Sequence, residues 1–294
     1  MNIERRKFIK LTGAATGALA LNTLFADSLL AGCNNSEAGK LKNFGIQLWT
    51  LRDDLPKDPK GVLKQLASFG YKQIESFEGG KGIYWGMSNL EFKAYMDELG
   101  MSLIASHCDI TKDFEKKAAE AAAIGMKYLI CPWKGPQKSI DDFKKFADEF
   151  NGKGEICRKN GIRFAYHNHD YSFAVQDGQM GQDVMMKNTD SSLVDFEMDI
   201  YWVATAGQDP IAWFNKYPDR FRLCHIKDRS KSPVTDNGKN SVDLGTGVID
   251  YSSVLKAAKS KGMEYFIVEQ EAYPNGTPLE AVKVDAEYMK KVKV

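Results

Sequence analysis

Four histidines hold most of the chemistry this 294-residue chain can offer: His107, His167, His169 and His225. Each lies near the end of a short apolar run, and carboxylates end three of the other runs. The segment Phe221-Arg222-Leu223-Cys224-His225-Ile226-Lys227-Asp228 shows the pattern, a strand-like run with a histidine and a lysine two residues apart. Imidazole titrates near neutral pH and is the commonest metal ligand, while carboxylates supply anionic ligands and general bases. What such a set can do depends on whether the ends of the runs meet.

Side chains alternate along a strand, so residues two apart share a face. On that rule Glu75 goes with Phe77, His107 with Ala105 and Asp109, and His167 with His169. Likewise Asp199 goes with Glu197 and Tyr201, His225 with Lys227, and Glu269 with Ile267 and Glu271. A polar group inside a buried strand costs about 2–7 kcal/mol unless it is paired. One such residue is ordinarily a satisfied core histidine or carboxylate. Six runs delivering His, Asp or Glu at the same end are better explained as a cluster around one divalent cation, the remainder serving acid–base roles. Imidazole with carboxylate suits Mn²⁺, Zn²⁺, Fe²⁺ or Co²⁺ more than Ca²⁺, and leaves Mg²⁺ open. The thiolate set of a structural zinc site is missing.

The elements that must position these residues alternate in type. Eight strand candidates span Phe44–Leu51, Tyr71–Phe77, Ser102–Asp109, Lys127–Trp133, Ile162–His169, Leu193–Val203, Phe221–Asp228 and Tyr265–Glu271, apolar on both faces as in a buried parallel sheet. Amphipathic helices separate them. Asp58-Pro59, Asp209-Pro210 and Thr277-Pro278 each set a capping side chain before a first-turn proline, and Ser88 to Glu91 has capping-box spacing. Gly70, Gly100, Gly125, Gly161 and Gly262 fall where helices must stop. Eight such units in about 250 residues predict one α/β domain, a (β/α)8 TIM barrel over residues 43–294. Two long connections, Asp170–Met185 and Arg229–Asp250, follow strands five and seven and read as either a substrate lid or variable surface loops.

Residues 1–33 read as an export signal. Arg5-Arg6-Lys7 opens a basic twin-arginine region, Leu11 to Leu24 is apolar, and Leu30-Ala31-Gly32-Cys33 resembles a lipobox. The expected location is the periplasm, with membrane contact only through a lipid anchor at Cys33; the plainer alternative is cleavage near Ala26 with Cys33 incidental. Residues 34–42 form a polar linker. Of the 40 basic and 39 acidic side chains, the signal holds four and two, so the mature chain is close to neutral. That balance argues against nucleic acid as a partner. Cys108, Cys131, Cys157 and Cys224 show no disulfide or CxxC spacing and are expected to be free thiols.

Several short motifs follow one another in order: Gly70 to Glu75, Ser106-His107, Met198-Asp199, Cys224 to Asp228, Leu244 to Tyr251 (LGTGVIDY), and Ile267-Val268-Glu269. Together they resemble the xylose isomerase-like TIM barrels, a family of sugar isomerases and epimerases that also includes inosose dehydratase. The resemblance spans nearly all of the mature chain. It implies a metal held by a carboxylate on strand five, Asp on six, His on seven and Glu on eight. Asp199, His225 and Glu269 match three of these positions. Where the family commonly has Glu-Asn-His on strand five, this chain has His167-Asn168-His169, so His167 becomes the fourth ligand by position. That replacement removes one of the two opposed glutamates thought to move protons in the family's epimerases.

The implied chemistry is deprotonation next to a ketone, with a metal polarising the carbonyl. Glu269, His107, Lys227 and Glu75 are the catalytic candidates. Lys227 reads either as a group that steadies an enolate oxygen or as a lysine reaching to the barrel rim. His169, Trp49, Gln47, Trp133 and Tyr201 are the candidates for holding a small carbohydrate, with Trp202 beside them, although aromatic residues are more often plain core. The first expectation is a metal-dependent isomerase or epimerase of a keto-sugar. The second is a lyase or hydratase on 3-keto-glycosides or keto-inositols, favoured by His167 and by export. A non-catalytic exported sugar-binding protein and an apurinic-site endonuclease are the remaining alternatives, and the neutral charge weighs against the last.

Overall fold

The computed structural model describes residues 39–232 and 238–294. The export signal read at 1–33, Cys33 included, lies outside the described residues. Eight parallel strands close a barrel: β1 (Gly45–Gln47), β2 (Gln73–Phe77), β3 (Ser102–His107), β4 (Tyr128–Cys131), β5 (Arg163–His167), β6 (Val194–Asp199), β7 (Phe221–Ile226) and β8 (Tyr265–Val268). Each pairs with its neighbours in sequence, and β1 closes on β8 with Gly45 beside Ile267. The (β/α)8 barrel expected from the alternating pattern is therefore present.

The helices begin and end where the local chemistry requires. Asp58 accepts from Gly61 N, Asp209 from Ile211 N, and Ser88 and Thr277 each complete a capping box with a glutamate three residues on. Gly70 ends the helix Pro59–Phe69 at φ 105°, a conformation that strains any residue with a Cβ; the four other stop glycines also have positive φ. Lys40 bridges to Lys293, so the packed unit begins at Gly39, inside the stretch read as linker.

The strands are shorter than the apolar runs. The run Leu193–Val203 is strand only to Asp199, whose side chain then caps the helix Ile200–Thr205 by accepting from Trp202 N. The turn rotates Tyr201 off the face it was expected to share with Asp199. Likewise β1 ends at Gln47, whose Oε1 accepts from Trp49 N and starts a 3-10 turn.

Inside the barrel, Ala105, Ile130, Ala165, Leu223 and Ile267 form a small apolar cluster separate from the core between barrel and helices. One residue pair further along, on the strands' C-terminal side, the inward positions turn polar: Gln47, Glu75, His107, His167, Asp199, His225 and Glu269. The loop Leu244 to Tyr251 locks this end. Asp228 accepts from the amides of Gly245, Gly247 and Ile249, and a Cβ on Gly247 would sit 2.1 Å from Asp228 Oδ1. Tyr251 Oη both donates to Lys227 O and accepts from Lys227 N. Cys108, Cys131, Cys157 and Cys224 are buried free thiols, as expected.

Asp285, on the helix Pro278–Met289, supports the same loop by accepting from Leu244 N at 2.8 Å, while its Oδ2 has no partner among the described residues. Burial, with Asp243 and Asp228 nearby, raises its pKa to about 8. A folded-state pKa above the unfolded value of about 3.9 makes a contribution that is complete in acid and lost as pH rises through 8. Asp285→Asn keeps the acceptor and cannot ionise. Its melting temperature should match wild type near pH 4 and exceed it by at least about 2–4 °C at pH 8–9, roughly 1 kcal/mol in a domain this size. An offset constant across that pH range would show that the buried carboxyl is not neutral.

Candidate metal centre and its cavity

His225 joins two groups of side chains. On the cavity side its Nδ1 lies 3.1 Å from His167 Nε2, 3.7 Å from Asp199 Oδ2 and 3.3 Å from Glu269 Oε2, and His167 Nε2 is 3.5 Å from Asp199 Oδ2. Below it, His225 Nε2 is 2.7 Å from Glu75 Oε1 and 3.4 Å from Glu197 Oε1. Both carboxylates also meet His107 Nε2, at 3.2 and 2.8 Å. Gln47 Nε2 donates to Glu75 Oε1 at 2.6 Å. Asn168 exchanges a pair of 3.2 Å hydrogen bonds with the Asp199 backbone, which fixes β5 against β6 at this level.

Either group has the residue types to hold a cation. The lower group is better explained as hydrogen bonded, because its short contacts are donor–acceptor pairs. The cavity-side group fits a metal. Ligands at about 2.0–2.2 Å in a tetrahedral site stand roughly 3.3–3.6 Å apart; the donors of His167, Asp199 and His225 stand 3.1–3.7 Å apart, and Glu269 Oε2 lies 3.3 Å from His225 Nδ1. His167 Nδ1 points at Pro132 O and His225 Nε2 at Glu75, so the protons of the neutral rings are committed away from the cluster. With both rings neutral, two lone pairs would face each other at 3.1 Å, a repulsion that either a bound cation or a proton on His225 Nδ1 relieves. Asp199 Oδ2 is buried and is faced at 2.9 Å by the Lys227 ammonium. His167, Asp199 and His225 therefore suit a divalent ion, with Glu269 beside His225 in the position expected of a fourth ligand and Glu75 in the outer carboxylate position that orients a ligand histidine.

Without a metal, protons and one ammonium balance the charges. Burial alone would lower the His225 pKa, but Glu197, Glu269 and Glu75 raise it well above the usual imidazole value. Burial and the neighbouring Glu75 push Glu197 well up. Burial acts on Glu75 in the same sense, yet His107 and His225 hold it down to about 2. His107 is lowered to about 3, chiefly by burial. Lys227 is fully buried with Nζ 2.9 Å from Asp199, 2.8 Å from Glu269 and 3.2 Å from Glu271. Against the opposing effect of burial, it keeps both Asp199 and Glu269 well below the ordinary carboxylate range.

A cavity of about 470 Å³ opens above this group. It is lined by Trp49, Phe77, Glu78, His107, Cys108, Asp109, Pro132, Trp133, His167, His169, Trp202, Glu269 and Glu271. His169 packs edge-on against Trp133 (4.5 Å) and parallel to Tyr171 (5.7 Å), and burial followed by His167 holds its pKa well down, so the ring is neutral. His169 Nδ1 and Trp202 Nε1 are buried without partners among the described residues.

The family profile described as Xylose isomerase-like TIM barrel matches residues 63–292. The chain belongs to the xylose isomerase-like TIM barrel family. Within it, an inosose dehydratase from Clostridium beijerinckii is 27% identical over 255 residues, 80% of this chain and 81% of that protein. The match to the Lacticaseibacillus casei inosose dehydratase, 25% identical, spans 47% of this chain and only 50% of that protein. Among solved structures, a sugar phosphate isomerase/epimerase from Parabacteroides distasonis is 29% identical, with a TM-score of 0.74 over 84% of this chain and 97% of that one.

In this xylose isomerase-like barrel the sequence candidates fall into three groups. His107, His167, His169, Trp49, Trp133 and Glu269 line the cavity, and Asp199 and His225 lie directly beneath it. Glu75 and Gln47 lie deeper, holding the histidines, with no exposed surface toward a substrate. Lys227 directs its three hydrogens at carboxylates, and Tyr201 packs against it beneath the cavity, where its neighbour Trp202 takes the wall position. Glu197 was visible only as a face-mate of Asp199; its contacts with His107 and His225 cross the barrel and leave no trace in spacing along one strand.

Removing Glu75 tests the centre. Glu75→Ala should weaken binding of Zn²⁺ or Mn²⁺ by about 10–100-fold in calorimetric titration, the usual effect of losing such an outer carboxylate, and Glu75→Gln, which keeps an acceptor, by less. Asp199→Ala and His225→Ala should abolish binding. Undiminished binding by either of these two would move the metal elsewhere.

Proposed function

We propose that this chain is a divalent-metal-dependent enzyme that isomerises or epimerises a keto-sugar by taking the proton next to its carbonyl. The observation that carries the reading is the pairing, in one cavity, of an ionised Glu269 and a neutral, unpartnered His169 beside a four-residue ligand set. A divalent ion in such a set polarises a carbonyl oxygen and makes the adjacent C–H more acidic.

The rest follows from the chain's own side chains. Lys227 keeps Glu269 charged and fixed, ready to accept a proton. His169 follows β5 and Glu269 follows β8, with β6 and β7 between them, so the two groups flank the cavity from different sides. One, as base, removes the proton and later releases it to solvent; for inversion the other first takes up a proton from solvent and delivers it to the opposite face of the enolate, so that both groups end as they began. The unpartnered Trp202 Nε1 and His169 Nδ1 offer hydrogen bonds to sugar hydroxyls; leaving such groups unmet costs about 1–3 kcal/mol each. The sugar phosphate isomerase/epimerase among the solved structures supports the reaction class in this reading.

A second reading, elimination or hydration by a lyase, is favoured by His167 in the strand-five position and by the inosose dehydratases among the relatives. It uses the same first step and then expels a group from the neighbouring carbon. On the Arg5-Arg6 signal and the lipobox at Cys33 we place the enzyme in the periplasm, where free and glycosidic sugars are the available substrates.

Incubating the metal-loaded protein with keto-sugars and 3-keto-glycosides in D₂O separates the readings by NMR. Deuterium at one carbon with an inverted or moved carbonyl is the expected result. Loss of water or aglycone with a new double bond would establish elimination instead. No exchange with any substrate, in protein shown to hold metal, would overturn both. His169→Asn should retain metal and lower exchange by about 10²–10⁴-fold.

A further inference from the structure

The mouth of the cavity differs in chemistry from its floor. Trp49 and Trp133 are 41% and 53% exposed, the most exposed aromatic rings bordering it, and Phe77, Pro132 and Trp202 continue the apolar wall inward. Both indoles are held in place. Trp49 packs edge-on to Phe77 at 5.0 Å and carries the Arg52 guanidinium 5.2 Å from its ring. Trp133 meets His169 and Tyr171 edge-on at 4.5 and 4.8 Å. Leaving two rigid indoles in water is unfavourable unless something covers them.

Charge at the same place is one-sided. Among the described residues lining the cavity there is no lysine or arginine, while Glu78, Asp109, Glu269 and Glu271 all contribute. Of the cations nearby, Lys227 faces three carboxylates and Lys117 pairs with Glu78 at 2.7 Å, while Arg52, outside the lining, is turned to Trp49 O and Tyr273 Oη. A phosphate here would meet acidic groups and no free cation or helix N-terminus among the lining residues. The volume, about 470 Å³, lies in the range of roughly 300–1,000 Å³ that accommodates drug-sized ligands and exceeds the needs of one sugar ring.

We propose that Trp49 and Trp133 form a subsite for an uncharged, planar apolar group joined to the sugar, an aryl or similarly flat aglycone, and that sugar phosphates are excluded. The sugar ring occupies the floor, so this inference deepens the keto-sugar reading and rests on it for the position of that ring. The aglycone covers the indoles, and selectivity comes from stacking and from the absence of a counter-charge for phosphate.

The test uses binding, which needs no turnover and so fails independently of the reaction. Calorimetric titrations of the metal-loaded full chain would compare phenyl β-glucoside with methyl β-glucoside, and glucose 6-phosphate with glucose. Phenyl glucoside should bind at least about tenfold tighter than methyl glucoside, as expected for stacking on two rings. Trp49→Ala and Trp133→Ala should each cut that ratio at least about threefold, and each exposed position tolerates the change without unfolding, checked by circular dichroism. Glucose 6-phosphate should bind no better than glucose. Phenyl glucoside binding no tighter than methyl glucoside, an unchanged ratio in both variants, or preferred binding of the phosphate would each overturn the proposal. Preferential aryl binding in a protein that gives no deuterium exchange would retain the subsite and reject the reaction.

Discussion

Everything at the top of this barrel depends on one imidazole being satisfied from both edges. His225 has no exposed surface, and its two nitrogens face different sets of carboxylates. Glu75, Glu197, Asp199, Glu269, His107, His167 and Lys227 are buried around it. Each of these groups alone would cost several kcal/mol to ionise in the interior. Together they tolerate burial because each charge sits against an opposite one, and the balance can be kept either by protons or by a divalent ion. The segment Cys224 to Asp228 supplies the hub, the internal cation and the anchor at once. His225 and Lys227 point inward, and Asp228 points outward into the amides of the loop after β7.

This arrangement explains what could be read from the chain beforehand. Strands announced themselves because both faces are apolar, and their functional ends because a charged residue interrupts that rule. Helix ends were legible through Asp-Pro, Ser-to-Glu and glycine positions, whose chemistry is local. What was not legible depends on contacts across the barrel. Glu197 and Asp199 look alike in the run Val194 to Asp199, yet one is pressed up in pKa by Glu75 and the other down by Lys227. Lys227 looked equally suited to substrate and to rim, and it meets three carboxylates supplied by β6 and β8. Asp199 itself ended the strand early by capping the next helix, which exchanged Tyr201 for Trp202 at the cavity wall.

The cavity inherits its character from the same balance. If Glu269 joins His167, Asp199 and His225 around a divalent ion, two imidazoles and two carboxylates would neutralise it and leave nothing over. Lys227 is then offset by Glu271, whose pKa burial raises. On the opposite wall Lys117 answers Glu78 and leaves Asp109. A carboxylate on β5 would have made the floor more acidic and supplied a second anionic base; His167 does neither. With no lysine or arginine among the lining residues to attract an anionic substrate, recognition falls to directional groups. Trp202 Nε1 and His169 Nδ1 remain unpaired and buried, each at a cost that only a correctly placed hydroxyl or carbonyl relieves. A ligand that fills the space without meeting them gains contact area but leaves that cost standing. Under the proposed function, discrimination would therefore come from which polar atoms a sugar can place beneath the aromatic rim, and proton transfer by His169 would be tied to the same placement.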